Sequence, residues 1–458
     1  MKQIFTLFII SLLIGLPAKA QVNIGDSVAL VDLYNSTNGP GWANNDNWLT
    51  EKPLGAWWGV TVYKGRVIKV HLDYNNLLGS IPESIGELDD IVYLSLSYNR
   101  INGSIPKAIG NCRHLLNFDL LYNRVSGSIP SEIGNCTEIQ RLNLENNKIT
   151  GTIPGSLGNC VKIIQLRLGY NQLSATIPAT IGNCEKLQSF TSYKNKLTGT
   201  IPLSIGKCKS LTVLNLSYNQ LTGDIPKTLG KCSMLNELFL HNNQLEGPIP
   251  EELGKCKRMS TLLLSNNKLS GSIPVTLGYC RRMQYLSLSG NNLTGTIPAE
   301  IMNLPNAPEI NVAMNELTGN IPEPGGLFSP SLYVFLNRYN FSSFESVLSK
   351  FTNIQYFPQK SIPLLVNGNV FMANAGGTLG NNTYYWYKDD VLVQTKTGDS
   401  TFVSSGSGTY YATVTNRVVN GLTLYTDTIT ITEPAAARRQ LTVDSRPLTA
   451  LNHHHSYF

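Results

Sequence analysis

Between residues 66 and 326 apolar and polar positions return in one fixed order. In residues 214–234, LNLSYNQLTGDIPKTLGKCSM, Leu214 and Leu216 alternate with polar neighbours, Leu221 follows a polar gap, and Ile225 precedes Pro226. Alternation of this kind predicts a short strand with one buried face. Gly223 and Pro226 then turn the chain away from it. The Ile-Pro pair recurs at 81, 105, 129, 153, 177, 201, 225, 249, 273, 297 and 321, every step being 24 residues. A single copy cannot bury its apolar face, whereas stacked copies bury it against one another. The pattern therefore predicts a solenoid of eleven 24-residue copies over 66–326 whose strands stack into a parallel sheet.

Two columns run through the copies. Asn75, Asn99, Asn123, Asn147, Asn171, Asn195, Asn219, Asn243, Asn267, Asn291 and Asn315 stand where each copy leaves its strand. An amide carries both donor and acceptor, so stacked copies can satisfy the inward backbone groups of the turn. All eight cysteines, Cys112, Cys136, Cys160, Cys184, Cys208, Cys232, Cys256 and Cys280, form the second column. Leu88 and Leu304 hold the same position in the flanking copies, which marks a core column, since cysteine packs as a small hydrophobe. Disulfides between neighbouring copies are the alternative, but side chains in register point the same way and leave the Cβ atoms too far apart. A one-dimensional column cannot surround zinc tetrahedrally.

The unit L-x-L-x-x-N-x-L-x-G-x-I-P resembles the plant-type leucine-rich repeat, which implies that the parallel sheet lines a concave face and that the convex side is irregular or 3-10. The departures lie at the ends. Residues 1–20, with Lys2, an apolar run from Ile4 to Leu16 and Ala18-Lys19-Ala20, read as a secretory signal peptide. No cysteine follows the expected cleavage point to carry a lipid, and no later stretch reaches the ~20 apolar residues of a membrane span. Residues 21–65 read as the N-terminal cap, a helix with Val28, Val31 and Tyr34 at helical spacing followed by Trp42, Trp48, Trp57 and Trp58 as apolar plugs. PLGAWWGVTV resembles the C-x-W-x-G-V-x-C of plant caps, with Gly55 and Val62 in place of the two cysteines. The disulfide that the resemblance implies is thus missing, which with the signal peptide points to a bacterial secreted form. Residues 327–361 read as a degenerate repeat and C-terminal cap, with Tyr339 where the asparagine belongs.

From 362 to 433 short β-rich stretches resemble an immunoglobulin-like sandwich. Trp386 is its expected core tryptophan and Gly408-Thr409-Tyr410 its tyrosine corner, while Ala412 takes the place of the second core cysteine. Residues 434–458 read as a disordered tail, and His453-His454-His455 there as no metal site.

Only 14% of the residues are charged and the net charge of +6 is spread along the chain, which gives no case for nucleic acid. No nucleophile, metal or phosphate-loop motif is present. Asp73 and Asp119 are the nearest thing to a carboxylate pair on the inner face, two copies apart. The expectation is a non-enzyme with no cofactor and no metal.

Function is then expected on the exposed strand positions, because the concave sheet is the usual binding surface of such solenoids. Counted from each ladder asparagine these are −6, −4, −2, −1 and +1. Over the copies of Asn99 to Asn195 they hold Arg100, Arg124, Arg141, Lys148, Arg167, Lys194 and Lys196 against Asp119 and Glu145, seven bases to two acids, a net of +5. Tyr74, Tyr98, Tyr122, Tyr170 and Tyr218 occupy −1 and Tyr193 occupies −2. Tyrosine and arginine are enriched at binding hot spots, although tyrosine is also an easy filler for a half-exposed strand end. A second basic column, Lys207, Lys209, Lys231, Lys255, Lys257, Arg258, Arg281 and Arg282, flanks the cysteines and reads as a solvated edge, with a contact to acidic surface polymers as the alternative. The resemblance implies an exported recognition or adhesion protein at the cell surface that binds a protein or peptide. A carbohydrate-binding module and a passive surface spacer are the alternatives.

Overall fold

The computed structural model describes residues 23–306, 308–325 and 329–432, together with the backbone of 441–444. The expected signal peptide and the histidine triplet lie outside the described residues. The chain divides into two compact units, one running to residue 246 with 250–267, the other made of 247–249 with 268–458.

The first unit opens with helix Ile24–Ser36, capped by the Asn23 side chain, which accepts from the Gly25 N–H at 2.7 Å. Its buried face is Asp26, Ala29, Leu30 and Leu33 rather than the expected Val28, Val31 and Tyr34, which are half-buried. Asp26 sets that orientation. It is fully buried, accepts from the Val67 N–H at 2.7 Å and pairs with Arg66 at 3.1 Å. Arg66 also bonds Asp90 at 2.8 Å and Asp89, so one guanidinium ties the helix to the first strands. Trp42, Trp48 and Trp57 are buried in a chain of ring contacts with centroids 4.8 and 5.0 Å apart. Trp58, expected as a fourth plug, is exposed.

After the antiparallel pair Val60–Tyr63 and Arg66–His71, each turn adds one parallel strand in strict register. Leu94, Phe118, Leu142, Leu166, Phe190, Leu214, Leu238 and Leu262 form a single inward row, all at 1% exposure or less. A feature absent from the sequence pattern lies beside it. The L-T-G stretches pair as a second parallel ribbon, as in Lys196–Gly199 against Gln220–Asp224. The convex side is a row of five-residue 3-10 helices such as Leu203–Lys207 and Lys227–Lys231, each starting after the proline of Ile-Pro. The helices crowd one another: a Cβ on Gly206 would lie 2.5 Å from the Thr228 carbonyl oxygen.

The asparagine column is a hydrogen-bond ladder. Asn219 Oδ1 accepts from the Leu197 N–H at 3.0 Å, and its Nδ2 donates to the carbonyls of Ser192, Leu216 and Ser217 at 2.9, 3.0 and 3.2 Å. Asn123, Asn147 and Asn171 repeat the scheme. Ser192, which stands where a core leucine is expected, is fully buried, and its hydroxyl accepts from Asn195 at 3.4 Å. All eight cysteines are free and fully buried. Cys136 Sγ donates to the Ile109 carbonyl at 3.2 Å, and Cys112 and Cys184 to the corresponding carbonyls one turn back at 3.5 Å. Burial pushes the Cys112 and Cys184 thiols up to about 12 and that of Cys136 to about 11, so they remain protonated and inert. The column is packing.

In the second unit the strands Tyr285–Ser287, Glu309–Asn311, Ser331–Tyr333 and Asn353–Gln355 continue in parallel. The expectation at Tyr339 is corrected. Asn337 fills the ladder site, accepting from the Leu317 N–H and donating to Val312 and Val334 carbonyls, all at 3.0 Å. Tyr339 sits two residues on, where other turns place leucine, and is fully buried. Two residues fewer in this turn shifted the apparent register. A further turn ends on Gln359, which accepts from the Asn337 N–H and donates to the Val334 carbonyl, both at 3.1 Å.

Beyond it lie two antiparallel sheets. One contains Leu364–Asn367, Val370–Ala373 and Thr401–Val403; the other runs Val391–Thr397, Asn382–Lys388, Gly408–Asn416, Thr428–Ile431, Leu441–Asp444. The last strand falls within the tail expected to be disordered, and it pairs with Thr428–Ile431 through the backbone. Trp386 and Tyr410 are fully buried, and the Tyr410 hydroxyl donates to the Ser405 and Gly406 carbonyls at 2.9 and 3.0 Å. Glu345 joins these sheets to the preceding cap, accepting from Asn416 Nδ2 at 2.6 Å, Asn381 Nδ2 at 3.2 Å and the Thr378 N–H at 2.8 Å.

Two outcomes follow. Alkylation of the denatured, unreduced protein labels all eight thiols, whereas the folded protein labels none on the same timescale. At the cap, a Cβ on Gly55 would stand 3.5 Å from Val62 Cβ, at the lower edge of the disulfide range. The double variant Gly55→Cys, Val62→Cys closes a bond under air oxidation and stabilises the cap by about 2 kcal/mol, read as a mass loss of two hydrogens and a higher melting temperature than its reduced form.

Candidate functional site on the concave face

The ladder dictates the geometry of the face. To bring each asparagine inward, the residue before it turns left-handed: φ is 55° at Tyr98, 52° at Tyr122, 49° at Tyr170, 50° at Lys194 and 54° at Tyr218. The −1 column is therefore a turn, not a strand end, and β propensity does not explain its tyrosines. Asn146, Asn242 and Asn266 share the position and conformation, and asparagine is the residue that tolerates it.

The rings use the column as a stack. Tyr74 and Tyr98 lie 4.2 Å apart at 9°, Tyr98 and Tyr122 5.0 Å apart at 20°. Their faces cover one another and their edges and hydroxyls remain exposed. A hydrogen bond with Tyr74, then burial, raises the Tyr98 hydroxyl above its ordinary value. Farther along, Lys194 Nζ lies 4.3 Å from the Tyr170 ring centre and 5.5 Å from that of Tyr218. Tyr193 is half-buried over Gly169, where a Cβ would meet its ring at 2.5 Å, and its hydroxyl donates to Glu145 two turns back. Burial first, then Glu145, pushes that hydroxyl well up.

Arg141 and Arg167 stand on the strands proper, exposed, in a shallow depression of about 320 Å³ shared with Tyr93, Asn117, Asp119, Asn143 and Gln165. The neutral members escaped the sequence reading, which counted charges and rings; their −6 and −4 positions were the available signal. Arg100, Arg124, Lys148 and Lys196 do not join that depression. Their N–H groups pair with Leu77, Ile101, Val125 and Leu173 carbonyls as the chain leaves the concave sheet, so they form an exposed rim. The two acids of the face are spoken for. Asp119 accepts from Ser97 Oγ at 2.5 Å, the Leu121 N–H at 2.9 Å and Asn143 at 3.1 Å, and Glu145 holds Tyr193. Asp73 likewise accepts from Ser95 Oγ at 2.6 Å and the Ser97 N–H at 2.7 Å. What the face offers outward is guanidinium, ammonium and phenol. Among the described residues no cluster of histidine, cysteine and carboxylate suits a metal ion.

Leucine-rich-repeat models match residues 193–245 and, separately, 90–112, 138–160, 258–280 and 282–304. No curated protein matches the chain. Among solved structures, the plant peptide hormone receptor RGFR1 in complex with RGF2 is 34% identical over 64% of this chain and 48% of its own, with a TM-score of 0.59. The Arabidopsis receptor kinase HAESA, solved with the peptide hormone IDA and the co-receptor SERK1, is 28% identical over 75% and 59%, also at 0.59. PEPR1 with AtPEP1 is 27% identical over 74% and 56%, at 0.54. The chain spans about half to three fifths of the length of these receptors. It is a leucine-rich-repeat protein with plant receptor structures among its structural neighbours. No helix among the described residues is long and apolar enough to cross a membrane.

His241, at −2 on the same face, is half-buried against Tyr218 with ring centres 5.2 Å apart, and its Nδ1 has no partner. Burial lowers its pKa from the ordinary 6.5. The folded state thus binds this proton less readily than the unfolded chain, so stability is complete above the ordinary value and falls as pH drops through the depressed one. Denaturant unfolding at about pH 7.5 and about pH 5.5 shows a larger loss for the native protein than for His241→Phe; equal losses contradict this.

Proposed function

We propose that this protein is an exported recognition or adhesion protein that binds a protein or peptide on the concave face of its solenoid. The left-handed tyrosines carry this reading. A bulky side chain there costs on the order of 1 kcal/mol relative to glycine or asparagine, and the chain accepts that at Tyr74, Tyr98, Tyr122, Tyr170 and Tyr218, as it does at Lys194, Met314 and Leu336, while using asparagine at Asn146, Asn242 and Asn266. Of the costly residues only tyrosine recurs, and at Tyr74, Tyr98 and Tyr122 it does so on three successive turns in one stack. Rings stacked on one another have few open faces for sugars, which weakens the carbohydrate alternative. Phenol edges beside unpaired arginines suit the carbonyls and carboxylates of an extended peptide. The resemblance to receptors solved with peptide hormones supports the same class of partner.

The remaining parts fit this reading. The signal-like start supports export to the cell surface. Hydrogen bonding of Asp73, Asp119 and Glu145 within the fold supports a non-catalytic face. Buried Trp386 and the Tyr410 hydroxyl bonded to backbone upstream support an immunoglobulin-like C-terminal module, and its attachment through Glu345 favours a stiff spacer.

The test is capture of surface extracts, with and without protease treatment, by the immobilised protein and by the variant Tyr98→Asn, Tyr122→Asn, Tyr170→Asn. The variant melts at or above the native temperature, since asparagine suits these positions, and loses the captured partner, which protease also destroys. Equal capture by both makes the tyrosines filler, and a protease-resistant partner restores the carbohydrate reading.

A further inference from the structure

The convex side carries a second charged surface, independent of the concave face. The last residues of seven successive 3-10 helices form a column along the stack: Asn111, Asn135, Asn159 and Asn183, then Lys207, Lys231 and Lys255, with Glu87 before them and Tyr279 after. All three lysines are exposed, as are the adjoining Lys209 and Arg258. The sequence reading took this column for a solvated edge.

The packing of the convex side holds it as a regular row. Hydroxyls rivet each helix to the one before: Thr180 to the Gly155 carbonyl at 2.7 Å, Ser204 to Ala179 at 2.6 Å and Thr228 to Leu203 at 2.8 Å. Gly206 and Gly230 allow the close approach, since a Cβ on either would lie within 2.5 Å of the next turn's carbonyl oxygen. Like charges are thus held in register on successive turns, about 5 Å apart. Elsewhere the stack neutralises such charges, as where Lys162 meets Glu138 in register at 2.6 Å and Lys107 meets Glu132 on the next turn at 4.0 Å. Among the described residues, Lys207, Lys209, Lys231, Lys255 and Arg258 pair with no carboxylate. Like charges directly opposite on neighbouring strands destabilise a stack, and a cation at a helix C-terminus recovers only a few tenths of a kcal/mol.

We propose that this column binds a linear anionic polysaccharide whose carboxylates repeat along the chain. A row of cations repeated once per turn matches a polymer with one carboxylate on each ring. An anionic membrane calls for a broad basic face with apolar anchors among the charges, and on the convex helices between residues 203 and 258, which carry the lysines, Leu203 is the one large apolar residue exposed.

The preceding turns supply the control, because asparagine already occupies the same position four times. The variant Lys207→Asn, Lys231→Asn, Lys255→Asn therefore keeps the fold, checked by its melting temperature. Binding of polygalacturonate to the full chain is measured over a salt series, beside neutral dextran and phosphatidylglycerol vesicles. The native protein is expected to bind the polyuronate alone, with affinity falling as salt rises. The triple variant binds roughly tenfold more weakly with a shallower salt dependence, and Arg141→Gln with Arg167→Gln binds as the native protein does. Equal binding by the triple variant, no binding at low salt, binding only to vesicles, or loss in the concave variant instead would each overturn the proposal.

Discussion

Everything in this molecule depends on the amide ladder. Each turn of a solenoid leaves inward-facing peptide groups where its strand ends, and leaving such groups unpaired costs roughly 1–3 kcal/mol apiece. One asparagine per turn satisfies an N–H of the preceding turn and carbonyls of both. The ladder thereby fixes the stride, because the donor one turn back lies 22 residues before the amide. It survives a turn shortened by two residues at Asn337 and even a change of side chain at Gln359, whose longer amide takes the Asn337 N–H itself and the Val334 carbonyl. Geometry is held by the hydrogen bonds and not by the spelling.

The ladder also creates the candidate site. Drawing the asparagine inward forces its predecessor into the left-handed region, which turns that side chain outward at the border of the concave sheet. Asparagine or glycine would rest there; tyrosine is held against a conformational cost. Strain of this kind, maintained turn after turn, gathers at functional surfaces. The same constraint explains the self-stacked rings, since side chains leaving successive turns at one angle lie parallel.

At the two caps polar ties surround an apolar plug. Buried Asp26 is compensated by Arg66 and a backbone N–H at one end. Burying an unpaired carboxylate would be prohibitive, so this pair chooses which helix face turns inward and overrides the apolar spacing of Val28, Val31 and Tyr34. At the other, Glu345 accepts from three residues of the antiparallel sheets, and those sheets continue the packing.

By itself the sequence determined the solenoid, the concave sheet, the asparagine ladder and the buried thiols, because stacking repeats one local environment and a period in residues is a period in space. It also marked the arginines and tyrosines of the exposed positions. The tertiary structure decided what the period does not encode. Whether tyrosines lie in a strand or a left-handed turn depends on where the amide must reach, and whether their faces are open depends on the rings one turn away. The separation of Arg141 and Arg167 from the rim of Arg100, Arg124, Lys148 and Lys196 rests on which strand pairs each backbone. Tyr339 could not be placed by counting, because only the hydrogen bonds of Asn337 show where a shortened turn closes. The Leu441–Asp444 strand escaped notice for a similar reason: a strand at a sheet edge is made by the partner it pairs with, and four residues carry too little pattern to announce it.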